Sequence, residues 1–139
     1  MISFSKEHKE ALRDMGVAAL YLFGSRVSGT ARDDSDYDIG VVFTDPETVA
    51  HDRLGTYLKV HALVSEYVPD GADGGRLDIS FLQFANAALE MAAIDGIVLF
   101  EIDAAARVEY EEGVIKRYDD YRFLRSIYEE ATFAAFAHA

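Results

Sequence analysis

The chain has 139 residues, half of them hydrophobic, which is the size of one ordinary domain with a single core. It holds no cysteine, which excludes disulfides and thiolate metal sites and fits a reducing cytoplasm. A net charge of −12 disfavours bulk nucleic-acid binding; it suits a basic protein partner, or serves solubility alone.

The N-terminus, Met1 to Glu7, has no signal-peptide character, and no apolar run approaches a membrane span. Ser5 to Met15 reads as a short amphipathic helix, with Ser5 as N-cap and Gly16 as its stop. Val17 to Phe23 is a β-rich apolar run, expected to be a buried strand. Gly24 to Arg32 is a loop with room for one helical turn, and Tyr37 to Phe43 is a second strand. Asp45-Pro46 is a helix-start signal, and apolar residues then recur at helical spacing from Ala50 to Val68. Pro69 to Gly75 is a polar turn; its glycines lack the lysine and spacing of a phosphate loop. Arg76 to Leu82 alternates, with Leu77, Ile79 and Phe81 on one face and Arg76, Asp78 and Ser80 on the other. Gln83 to Ile94 reads as a helix, Ile97 to Phe100 as a short strand, and Asp103 to about Phe136 as one long helix with a possible break at Gly113.

No repeat or linker divides the chain, so 1–139 is expected to be one domain, with a core of about 15–100 and a helical segment at 103–136. Strand–helix alternation predicts an α/β (α+β) fold, a small mixed sheet flanked by helices. The four histidines show no paired ligand spacing, which argues against zinc. In the last helix, Val114, Tyr118, Tyr121, Leu124, Tyr128, Ala131 and Ala135 follow a three–four spacing and are expected to face the core. Phe123, Phe133 and Phe136 fall partly off that stripe, which fits either a protein interface or a wide core stripe.

The strongest chemical signal is Gly24-Ser25 at the end of one strand, followed ten residues on by Asp36-Tyr37-Asp38 at the start of the next. Residues i and i+2 of a strand point to one face, so Asp36 and Asp38 present two carboxylates together. Like charges that close repel, and a divalent cation between them relieves the repulsion. Magnesium suits such a site because it binds through a few carboxylates, waters and substrate phosphates. Two such ions can clamp the attacking and leaving oxygens of a phosphoryl displacement. Gly24 lets the backbone approach a phosphate, and the Ser25 hydroxyl can donate to one. Arg26 and Arg32 would add charge beside a triphosphate or stand as solvated loop residues. Asp78, polar on an otherwise apolar strand, is the candidate third carboxylate, either a metal ligand or the base for an attacking hydroxyl.

This pattern resembles the nucleotidyltransferase superfamily of DNA polymerase β type, and the short length and element order resemble its minimal branch, the MNT proteins. Tyr118-Asp119-Asp120-Tyr121-Arg122 more weakly resembles the tail of MntA-type antitoxins, which are paired with HEPN-domain toxins. The resemblance implies a magnesium-dependent enzyme in which Asp36 and Asp38 bind the metal, the Gly24-Ser25 loop holds the triphosphate of ATP, and Asp78 assists attack on the α-phosphate; the residues themselves add the expectation that Asp78 also binds metal, that two ions are held, and that Arg26 lies at the nucleotide. It implies transfer of AMP to a tyrosine of a partner HEPN ribonuclease, in a hetero-oligomer; composition adds the expectation of a cytoplasmic protein without direct nucleic-acid or membrane partners. Two alternatives stay open: a nucleotidyltransferase acting on a small molecule, as aminoglycoside-modifying relatives do, and an antitoxin that neutralises by binding alone.

Overall fold

The structure is a computed structural model that describes residues 2–30, 36–68 and 76–137. The Pro69 to Gly75 turn and Arg32 therefore lie outside the described residues, as do Asp33 and Asp34.

Helix α1 spans Lys6–Asp14; the Ser5 hydroxyl accepts from the His8 amide at 3.1 Å, as an N-cap should. Gly16, at φ +81°, turns the chain out of the helix and into strand β1, Val17–Phe23. Strand β2, Tyr37–Phe43, runs antiparallel to β1. Strand β4, Ile97–Glu101, lies antiparallel on the other side of β1, and β3, Leu77–Phe81, lies parallel to β2. The sheet is therefore mixed, in the order β3-β2-β1-β4.

Strand β1 is central and covered on both faces, which explains its unbroken apolar sequence. Its alternate residues feed two cores. Leu20 and Leu22 join Ile39, Val41, Leu12 of α1 and Val60 and Val64 of helix α4 (Arg53–Ser65). Ala19, Tyr21 and Phe23 face Val42, Leu82 and Ala93 of helix α5 (Ala87–Ile94), with Tyr110 packed beside them.

Three stretches depart from the sequence expectation. The helical pattern after Asp45 is two helices, α3 at Pro46–Ala50 and α4. Asp52 takes up a cap position between them and its carboxylate accepts from the Gly55 amide at 3.0 Å. The Gln83–Ile94 pattern is a single 3-10 turn over Leu82–Phe84 followed by α5, which Asn86 caps through the Leu89 amide. Gln83 instead extends the sheet: its side-chain amide accepts from the Phe43 N–H at 2.7 Å and donates to the Phe43 carbonyl at 2.9 Å. Helix α6 spans Ala104–Ala137 with no break at Gly113.

Among the described residues, helix α6 meets the body along its first four turns. There the Tyr21 hydroxyl donates to Glu111 at 2.8 Å, and Arg107 pairs with Glu111 and with Glu101 of β4. Glu90, the one charged side chain buried among the described residues, accepts from the Tyr110 hydroxyl at 2.6 Å and from Arg117 at 2.9 Å. Burial, then the hydrogen bonds to Glu111 and Glu90, hold the Tyr21 and Tyr110 phenols well above their ordinary range. Beyond Val114 the expected core-facing stripe is corrected: Tyr121, Leu124 and Tyr128 are exposed, because no other element of the described chain lies over them. Among the described residues no helix is long and apolar enough to cross a membrane.

Candidate active site

The β1–β2 turn and the first residues of β2 and β3 converge at one end of the sheet. Asp38 is the register partner of Asp78 across the parallel β2–β3 ladder, and of Phe23 across the antiparallel β1–β2 ladder. Registered neighbours project to the same face, so Asp38 and Asp78 stand side by side. Asp36 immediately precedes β2, two residues from Asp38. Asp36 and Asp78 are exposed and Asp38 is half-buried.

These carboxylates act on one another. The Asp38 carboxyl is held above the usual carboxylate range, first by its burial, then by the charge of Asp78, the charge of Asp36 and a hydrogen bond with Asp78. Among the described residues no three Asp, Glu, His or Cys side chains form a ready metal cage. Magnesium does not require one, since it keeps several waters and completes its shell with substrate phosphates. A half-buried carboxylate destabilised as an anion by two like charges is a donor set that a small hard cation would relieve. Asp36, Asp38 and Asp78 therefore fit the ion that the sequence suggests.

Gly24 closes the other side. It has φ +78°, a conformation that L side chains rarely adopt, and a Cβ built there would lie 2.1 Å from Oδ2 of Asp38. Both facts demand glycine, and both arise because β1 delivers the loop directly against the Asp38 carboxylate. The chain then coils into the short helix α2, Ser25–Ser28, whose Val27 and Ser28 amides return to the Gly24 carbonyl at 3.0 and 3.1 Å. Ser25 stands half-buried at the head of that coil, next to Gly24. Gly29, left-handed at φ +83°, ends it.

Arg26 takes a position that sequence reading alone did not anticipate. Its guanidinium lies 4.2 Å from the centroid of the Tyr37 ring. Tyr37 alternates away from Asp36 and Asp38 and packs against the larger core. Its amide donates to the Arg76 carbonyl at 2.7 Å, which ties the start of β2 to the start of β3. The residue between the two carboxylates is thus an anchor for both the preceding helix and the neighbouring strand. The only sequence signal for this is an aromatic at the middle of Asp-x-Asp.

The arrangement can do one kind of chemistry well. Neighbouring carboxylates that a divalent cation would relieve, with a glycine turn packed against them, are what the donor end of a phosphoryl or nucleotidyl transfer calls for. The solved complex of a toxin–antitoxin pair with AMP-PNP contains a chain 24% identical, with a TM-score of 0.59 over 97% of this chain and 100% of that one. A chain of the MntA–HepT toxin–antitoxin complex is 18% identical, with a TM-score of 0.51 over 97% of this chain and 100% of its own. A complex of tri-AMPylated Shewanella oneidensis HEPN toxin with MNT antitoxin gives 18% identity and a TM-score of 0.52, over 96% of this chain and 98% of that one. At these identities the likeness is one of fold. Among curated proteins no significant sequence relative is found. Residues 6–105, which carry the sheet, the Gly24 turn and all three carboxylates, match the family of polymerase beta nucleotidyltransferases, and the chain belongs to that family.

Proposed function

We propose that this nucleotidyltransferase is an antitoxin that transfers AMP from ATP to a hydroxyl, most simply a tyrosine, of a partner HEPN ribonuclease toxin in the cytoplasm, and so inactivates it. The observation that carries the proposal is the register of Asp38 with Asp78, with Gly24 pressed against the same carboxylate. The fold likeness to chains of toxin–antitoxin complexes, one with AMP-PNP and one with an AMPylated toxin, supports both nucleotide and partner.

In this reading Asp36, Asp38 and Asp78 hold magnesium, which when bound offsets triphosphate charge and lowers the cost of charge build-up at the α-phosphorus. Gly24 and Ser25 receive the triphosphate: the glycine admits it and the Ser25 hydroxyl donates to a phosphate oxygen. Arg26 supports that loop through Tyr37. Asp78 is the exposed member of the register pair and accepts the proton of the incoming hydroxyl. The hydroxyl oxygen then forms a bond to the α-phosphorus, the bond from that phosphorus to the bridging oxygen of the β-phosphate breaks, and pyrophosphate leaves. A tyrosyl–AMP ester remains on the partner.

The test is intact mass. The chain is incubated with magnesium, ATP and a HEPN-domain protein from the same genome, and the partner is weighed. AMP increments are expected with wild type and none with the Asp36→Asn, Asp38→Asn double variant. A partner that is inhibited but unmodified would sink the catalytic reading and favour neutralisation by binding. AMP transfer to an aminoglycoside in its place would favour the small-molecule alternative.

A further inference from the structure

Helix α6 is roughly 50 Å long, yet the body supports only its first part. Its body-facing seam runs through Tyr110, Val114 and Arg117, which pack or bond against the sheet and Glu90. The same alternation of three and four residues continues through Tyr121, Leu124 and Tyr128, now 45%, 65% and 72% exposed. Every residue from Asp119 to Ala131 is exposed. A seam of large apolar side chains left in solvent marks a binding surface.

We infer that this outer segment of α6 is a docking arm for the acceptor protein, a net-positive partner that receives the helix in an apolar groove. The inference rests on the proposed function for the identity of that partner. Two observations choose it over a second copy of this chain. First, apolar side chains are not confined to the seam. Phe123, Phe133 and Phe136, at 66%, 77% and 77% exposure, lie around the helix, and one paired helix would leave them in water while a groove covers them. Second, residues 115–137 hold four basic and four acidic side chains, so the whole charge of −12 rests on the body. Two such bodies repel at close range, whereas a ribonuclease, which must bind a polyanion, brings the opposite sign. The arm also answers a need of the chemistry, because the described chain has clustered carboxylates for the nucleotide but no second lobe to present a hydroxyl.

The test uses the full chain with Leu124→Asp and Tyr128→Asp together, and the same HEPN-domain protein as probe. Affinity for the probe is expected to fall at least about 30-fold. Affinity for AMP-PNP and the melting temperature should hold, because both positions are exposed and far along the helix from Gly24. AMP transfer should show a raised KM for the probe with kcat retained. Binding within about threefold of wild type would overturn the inference. So would a concentration-dependent homodimer of the free chain that the same substitutions dissolve, which would assign the arm to a second copy. The Asp36→Asn, Asp38→Asn variant separates the two readings: it should bind the probe as wild type does and transfer nothing. Wild type that binds without transfer would therefore remove the catalytic reading and leave the arm standing, and wild type that fails to bind at all would remove both.

Discussion

At the scale of single residues the carboxylates carry a mutual repulsion that the proposed cation would relieve. Asp38 is the pivot, because Gly24, Asp36 and Asp78 all press on it. Its folded-state proton affinity is raised, so between the ordinary carboxylate value and its own the folded chain keeps a proton that the unfolded chain has lost. Stability therefore falls as pH rises through that window, and at neutral pH the full penalty of the buried anion is in place. Asp38→Asn removes the penalty. The variant should melt above wild type at neutral pH, with the difference fading as pH drops to the ordinary carboxylate range. Added magnesium should raise the melting temperature of wild type and leave the variant unmoved. Thermal melts across pH, with and without the ion, check both statements; equal melting temperatures at neutral pH would show that Asp38 is not under strain. These positions were legible from sequence because strand alternation is a local rule: Asp36, Asp38 and Asp78 follow from counting by two. The stacking of Arg26 on Tyr37 was not, since it depends on which of several rotamers the packed loop leaves open.

Among the elements, the junction of α5, α6 and the sheet decides where the long helix starts to leave the body. Glu90 is nearly inaccessible and its carboxylate is satisfied from α6 by Tyr110 and Arg117. A buried carboxylate that loses a partner retains its desolvation penalty, which is why such pairs cost more to break than they contribute. Arg117→Ala should destabilise the fold by about 1–2 kcal/mol, toward the low end of the range because half of the arginine side chain is in solvent. Arg125→Ala removes an ion pair whose two side chains are both exposed, and should leave stability essentially unchanged. Chemical denaturation of the two variants side by side measures the contrast, and equal losses would contradict it. This junction shows why the α6 stripe was misjudged from sequence. Periodicity identifies one apolar face, but whether anything lies over it depends on helices and strands distant in sequence. Tyr110 finds Glu90 and packs beside Ala93 and Tyr21, and Val114 is buried, whereas Tyr121 meets only side chains of its own helix, the Tyr118 ring among them. The strands were read within a residue or so because each is bounded by its own local signals, whereas the split of the α3–α4 pattern turns on Asp52 acting as a cap inside an otherwise continuous helical spacing.

For the whole molecule, an acidic body that carries the sheet and its carboxylates holds out a neutral arm. If the two are physically separable, the arm contributes almost nothing to the folding of the body. Past Val114 no described residue is buried, and the last bond from the arm to the body is that of Arg117 with Glu90. Removal from Asp119 onward therefore deletes, among the described residues, almost only exposed surface and one solvent-exposed ion pair. The shortened chain should melt within a few degrees of the full one, because surface changes away from buried contacts move stability by only about 0.5 kcal/mol. Its helical circular dichroism should fall by the share of residues removed, with no loss of the cooperative transition. A large drop in melting temperature would mean that the arm folds back over the sheet, and the groove that covers it would then belong to this chain and not to a partner. A body that stays intact without its arm is what a transferase needs if it is to take its acceptor from another protein: catalytic geometry is kept in one part, and recognition can vary in the other without disturbing it.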